Sequence, residues 1–288
     1  MATDPALRDK LALKGGTALN VFLLNLDRLS VDIDLNYVGA LDRDAMLAER
    51  PALEAALHRL LAAQGYQVRR QPDEHAGGKW IARHASALGG QSVLELDINY
   101  MMRQPLFGAL RMDSAIIGET RANDVLVIDR HEIVAGKLVA LLDRRAARDL
   151  FDARRIFDLP GLNWSWIKGA MLAIGAAGRN DWRAANVNSI GADLQELRQK
   201  LLICLPRTQF ERAGSVEAWV DETVALCRAR LAPLLELNAN ERGFLDDVIE
   251  RGVVNAGLLD LEPAVQNRIA AMPMLQWKAE NVRKKPGR

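Results

Sequence analysis

The sequence predicts an α/β (α+β) protein: a mixed sheet backed by helices, followed by an all-helical region. Three observations carry this reading. Short stretches of alternating apolar and polar residues recur at 31–37, 66–70, 79–85, 92–100 and 124–128, with glycine-rich turns at Gly77-Gly78 and Gly89-Gly90 between them. A longer stretch at helical spacing, carrying Leu47, Leu53, Leu57, Leu60 and Leu61, lies among them. From His131 the apolar period turns helical. The expected organisation is a head over residues 1–130, then a mostly helical region over 131–288 that ends in a basic tail.

Taken in order, little structure is expected before Leu11-Ala12-Leu13-Lys14, and a short helix follows over 17–26, with Thr17 suited to cap it. The next element is the acidic strand over 31–37. Residues 42–63 hold Pro51, so two helical pieces or one kinked helix is expected, closed by Gly65. After three strands, residues 103–123 read as loop, with Pro105, Gly108 and Gly118. Beyond Pro160-Gly161, helices are expected over 164–177, 190–204, 216–232, 240–251 and 262–272. Trp164, Trp166 and Trp182 read as core, and Cys204 and Cys227 as buried thiols without metal spacing. Arg283-Lys284-Lys285-Pro286-Gly287-Arg288 reads as a disordered basic tail.

Composition narrows the function classes. At 49% hydrophobic and 26% charged, the 288 residues can bury a real core. A formal net charge of +1 means that nucleic-acid contact needs a local patch. The polar start is unlike a signal peptide and no apolar run reaches spanning length, so a cytoplasmic protein without membrane contact is expected.

Chemistry concentrates near the front. Lys14-Gly15-Gly16-Thr17-Ala18-Leu19 is a glycine turn ending in a hydroxyl, and Arg28-Leu29-Ser30-Val31-Asp32-Ile33-Asp34-Leu35 runs into a strand. Alternation puts Asp32 and Asp34 on one strand face, roughly 7 Å apart, close enough to share a hard cation. Gly15 and Gly16 can take positive φ and turn backbone N–H groups toward an anion. A divalent ion beside an anion cradle is what phosphoryl or nucleotidyl transfer requires. Each half alone is also what a wet sheet face or an ordinary turn looks like, and no Gly-Lys-Ser/Thr follows to make a Walker loop.

The combination resembles the first motif of the polymerase-β-like nucleotidyltransferases. In its fuller form, Lys-Gly-Gly-Thr-Ala-Leu followed by Arg-x-Ser-x-Asp-Ile-Asp-Leu, it is similar to the AbiEii/AbiGii toxin family, which includes the MenT-type toxins. That family carries a helical stretch ahead of the glycines, nearly absent here. A second constellation has the same likeness: Glu132-Ile133-Val134-Ala135-Gly136-Lys137-Leu138, leading into Arg148-Asp149-Leu150-Phe151-Asp152.

The resemblance implies site residues. Asp32 and Asp34 would bind Mg²⁺ or Mn²⁺, with Asp97 from Val93-Leu94-Glu95-Leu96-Asp97-Ile98-Asn99 as third carboxylate and Glu95 as the alternative. Gly15, Gly16, Thr17 and Ser30 would contact the nucleoside triphosphate, and Lys137 would neutralise charge on the departing pyrophosphate. Asp152, with Asp149 second, would position the nucleotide or Lys137; an i, i+3 pair on a helix is equally the mark of a surface ion ladder. Arg144, Arg145, Arg148, Arg154 and Arg155 are candidates for RNA backbone contact, or a solvated helix face. The implied activity is nucleotide transfer to the 3′ acceptor end of tRNA, opposed by a cognate antitoxin. The alternatives are a small-molecule or protein hydroxyl as acceptor, or a non-catalytic nucleotide- or partner-binding module.

Overall fold

The computed structural model describes residues 1–30, 32–71, 77–86, 89–205 and 214–284. The chain divides into two units, one of Met1–Leu26 with Ser30–Asp129 and the other of Asp27–Leu29 with Arg130–Arg288.

The first unit is built on a seven-stranded mixed sheet. Its strands are β1 (Leu11–Lys14), β2 (Asp32–Tyr37), β3 (Gln67–Gln71), β4 (Gly77–Ala85), β5 (Gln91–Asn99), β6 (Ala109–Met112) and β7 (Val125–Ile128), in the order β3-β4-β5-β2-β1-β7-β6. β2 runs parallel to β5 and β1 parallel to β7, and the remaining neighbours are antiparallel. Alternation works as expected on β2 and β5, where Leu35, Leu96 and Ile98 are buried in the core with Trp80, Leu13 and Val127. Helix α2 (Arg43–Ala63) adds Met46, Leu53, Leu57 and Leu61 to the buried set.

α2 is one continuous helix across Pro51, so the two-piece alternative does not hold. It begins where the Asp42 carboxylate accepts from the Asp44 and Ala45 N–H groups, at 3.0 and 2.9 Å. It ends at Gly65, in the left-handed region at φ +82°. Tyr37 ties strand to helix: its hydroxyl donates to Glu49 at 2.7 Å and accepts from the Ala40 N–H. Burial, reinforced by Glu49, pushes that phenol up to about 12.

Several expectations need correction. β1 is a four-residue strand in a stretch to which the sequence assigns no element, and β6, also four residues, lies inside the expected loop over 103–123. The helix expected over 17–26 starts two residues earlier as α1 (Gly15–Ala18) and continues as one π-helical turn, Leu19–Leu23. It stops where Asn25 and Leu26 take positive φ. Gly77-Gly78 open β4 instead of turning before it.

The second unit is helical: α3 (Arg130–Arg144), α4 (Ala147–Ile156), α5 (Trp164–Ala177), the single turn α6 (Leu194–Glu196), α7 (Val216–Leu235), α8 (Ala239–Asp246), α9 (Pro263–Ala270) and α10 (Pro273–Lys284). α3 packs on α4 and α5, burying Val134, Leu138 and Leu141 with Leu150, Ala170 and Ala173. A second cluster joins Phe151 of α4 to Leu197, Leu201, Trp219 and Val220. α5 starts at Asn163, whose side chain accepts from Ser165 and Trp166, and Asn238 and Glu241 form a reciprocal capping box on α8. Close packing requires Gly175, where a Cβ would collide with the ring of buried Trp182.

α10 was not anticipated: Arg283 and Lys284 end that helix, and the rest of the expected basic tail lies outside the described residues. Cys227 is buried, its thiol pushed up to about 12 by burial, whereas Cys204 is only half-buried and does not fit the buried-thiol expectation.

Candidate active site

In the first unit the site grows from a register. β1 pairs with β2 so that Lys14 stands opposite Asp34, which brings the glycine corner after β1 against that aspartate. Gly15 has φ +70°, and a Cβ there would overlap the Asp34 carboxylate, so glycine is demanded twice over. Lys14 occupies the cap position of α1 without a side-chain cap, and Thr17 sits inside the helix, which corrects its expected capping role. Its hydroxyl instead donates to the Asp32 carbonyl and lies 3.0 Å from the Ser30 hydroxyl. Thr17 and Ser30 thus pin the glycine turn to the start of β2.

The acidic face is assembled by the parallel pairing of β2 with β5. Asp32 stands opposite Glu95, Asp34 opposite Asp97, and Asn36 opposite Asn99, so all six side chains share one face. Adjacent strands lie only about 4.8 Å apart, which crowds the carboxylates. The crowding is visible at Asp97. Burial raises its carboxyl above the usual range, Lys79 pulls against that, and Asp34, Glu95 and Asp32 push it further up. Lys79, on β4, is the rung partner of Asp97 on its other side, and its Nζ lies 2.5 Å from Glu95 Oε2.

Hard carboxylate oxygens on two adjacent strands suit a divalent cation such as Mg²⁺. Among the described residues no three His, Cys, Asp or Glu side chains stand close enough together to hold a metal ion as they are. Asn36, 2% exposed on the same face, has a side-chain oxygen without a hydrogen-bond partner. The donor chemistry fits such an ion, and binding one requires the carboxylates to be drawn together.

In the second unit, α3 and α4 join around a buried ion network. Lys137 Nζ lies 3.0 Å from Asp149 Oδ1 and 2.8 Å from Asp152 Oδ2. Arg28 forks onto Asp152, with Nε and one terminal nitrogen each 2.7 Å from a carboxylate oxygen. Arg144 grips Asp149 through two hydrogen bonds at 2.6 and 3.1 Å. Lys137 is 7% exposed, Arg28 3%, Asp149 1% and Asp152 0%. Burial alone would raise both carboxyls, yet Lys137 with Arg144 for Asp149, and Lys137 with Arg28 for Asp152, hold them below the ordinary range.

The surface-ladder alternative for Asp149 and Asp152 is therefore excluded. Of the arginine cluster, Arg155 pairs with Asp27 at 2.7 Å and Arg154 with Asp158 at 3.0 Å, so these charges are locally balanced. Two participants went unread in the sequence: Lys79, whose place depends on strand register, and the reach of Arg28 to a residue 124 positions away. No helix among the described residues is long and apolar enough to cross a membrane.

Comparison with known proteins agrees with this architecture. The family model described as "Nucleotidyl transferase AbiEii toxin, Type IV TA system" matches residues 1–279. Among solved structures, MenT4, a nucleotidyltransferase toxin from Mycobacterium tuberculosis H37Rv, matches at 17% identity over 92% of this chain and 85% of that one, with a TM-score of 0.54. JHP933 from Helicobacter pylori matches at 19% identity over 77% of this chain and 85% of that one, with a TM-score of 0.42. No curated protein matches in sequence. The MenT4 likeness bears out the expected fold class, a mixed α/β architecture of the nucleotidyltransferase toxins.

Proposed function

The chain belongs to the AbiEii nucleotidyltransferase toxin family of type IV toxin–antitoxin systems, and from that premise we propose that it transfers a nucleotide from a nucleoside triphosphate to the 3′ acceptor end of tRNA. The observation that carries the reading is the registered pair Asp34–Asp97, with Asp32–Glu95 in the next rung and the Gly15 corner against Asp34.

Asp32, Asp34 and Asp97 would hold Mg²⁺ or Mn²⁺, which would neutralise triphosphate charge and lower the pKa of the attacking hydroxyl. Gly15 and Gly16 would present backbone N–H groups, and Ser30 its hydroxyl, to the phosphates; Thr17, expected to join them, gives its hydroxyl proton to the Asp32 carbonyl and would hold the turn in place instead. The acceptor oxygen forms a bond to the α-phosphorus as the α–β bridging bond breaks, pyrophosphate leaves, and the hydroxyl proton passes to a carboxylate or to water. Asp149 and Asp152 hold the Lys137 ammonium at 3.0 and 2.8 Å, and by family likeness Lys137 would answer the charge of the leaving group. Asp152 and Asp149 set its position. An antitoxin partner follows from the family.

The test is incubation of purified protein with each labelled nucleotide in turn and total tRNA, read on a gel. Wild type should label tRNA, and Asp32→Ala should not while its circular dichroism stays unchanged. Label on protein or a small molecule instead would move the acceptor; full activity of Asp32→Ala would overturn the site.

A further inference from the structure

Lys137 and Lys79 both stand beside acidic residues, and they differ in kind. Lys137 is locked: buried, and held by two carboxylates that are themselves buried. The Lys79 side chain is 35% exposed and its partner Glu95 41% exposed, a pair at the solvent edge of the sheet face. Exposed pairs are weak, and a lysine on four rotatable bonds can leave one easily. Yet Lys79 stands where charge matters most. It continues the rung of Asp34 and Asp97, and its ammonium touches Glu95 in the next rung.

We propose that Lys79 is a displaceable counter-ion that occupies the acidic face until a divalent cation arrives with a triphosphate, and that it thereby couples metal binding to nucleotide binding. Four carboxylates, Asp32, Asp34, Glu95 and Asp97, crowd two adjacent strands. Without a cation their repulsion has to be answered from within the chain: Lys14 is the rung partner of Asp34 on one side, and Lys79, the rung partner of Asp97 on the other, has its ammonium on Glu95. A metal ion alone has to displace the ammonium into water. A metal ion entering with a triphosphate gives the ammonium an anion to turn to, so each ligand eases the entry of the other. The inference rests on the proposed reading of the acidic face as the metal site.

The experiment is a titration of the full chain with Mn²⁺ alone, followed by electron paramagnetic resonance, then repeated with a mixture of the four α,β-methylene nucleoside triphosphates. Lys79→Met should bind Mn²⁺ alone about ten-fold more tightly than wild type, since one unit of competing positive charge is gone, and the triphosphates should enhance its Mn²⁺ affinity less. Lys79→Arg, which keeps the charge, should behave like wild type. Asp34→Asn should lose Mn²⁺ binding in both conditions. Unchanged or weakened Mn²⁺ binding by Lys79→Met, with Asp34→Asn losing it, overturns the counter-ion and leaves the metal site standing. Mn²⁺ binding that survives in Asp34→Asn overturns the metal site itself. Should Lys79→Met fail to fold, Lys79→Gln makes the same comparison.

Discussion

Replacing Arg28 with Met removes the guanidinium from the buried network and keeps a long apolar stem. Arg28 is 3% exposed, and its two hydrogen bonds to Asp152 are both 2.7 Å. Breaking a buried pair by deleting one partner costs about 3–5 kcal/mol, because the survivor stays charged in a poor solvent. Asp152 keeps Lys137 at 2.8 Å, which places the expected loss toward the lower end, about 3 kcal/mol. Against a total of about 5–15 kcal/mol for a typical domain, that is a large share. The assay is urea unfolding at pH 7 followed by tryptophan fluorescence. Five of the six tryptophans, 164, 166, 182, 219 and 277, lie in the helical unit, so the signal reports the unit that holds the network. Asp152→Asn should also destabilise, and the double variant should lose clearly less than the two single losses together. A loss below about 1 kcal/mol for Arg28→Met, the range of exposed pairs, would refute the claim that this fork is a buried, mutually dependent one.

Four further outcomes are expected. Gly15→Ala meets both positive φ and the Asp34 carboxylate, so it should destabilise the head by about 1–3 kcal/mol and reduce transfer at least as strongly as it reduces stability, read by thermal melt and labelling assay. Thr17→Val deletes the hydroxyl bonded to the Asp32 carbonyl and should cost about 1 kcal/mol in the same melt, with labelling weakened. Acid should weaken the helical unit through Asp149 and Asp152. Their folded values lie below the ordinary value near 3.9, so their stabilisation is complete above that value and is lost as pH falls through the folded one. A melt series from pH 7 to pH 3 should show this slope, and it should be shallower in Asp149→Asn. Asp97 has the opposite sign: its raised value means that ionisation works against the fold, so Asp97→Asn should melt higher than wild type at pH 7 while transfer is lost.

Local patterns carried much of the architecture. Two-residue alternation put Asp32 and Asp34 on one face of a strand, because a pleat leaves side chains no other arrangement. The bounds of α5, Trp164–Ala177, followed from its apolar spacing, and Asn163 caps it as such a residue should. Four-residue strands such as β1 and β6 escaped, since so few residues display no period and are held by their neighbours in the sheet. What only the tertiary structure decided were the partners of charge. Asp34 meets Asp97, and Asp97 meets Lys79, because three strands, not all of them neighbours in sequence, settle into one register to bury Leu35, Leu96 and Trp80. Asp152 meets Arg28 because the segment Asp27–Leu29 belongs with the helices and not with the sheet on either side of it in the chain. Periodicity along a chain follows from backbone geometry and can be read from the sequence. Which charges face each other across it depends on how the apolar faces pack, and that is settled only when the whole chain folds.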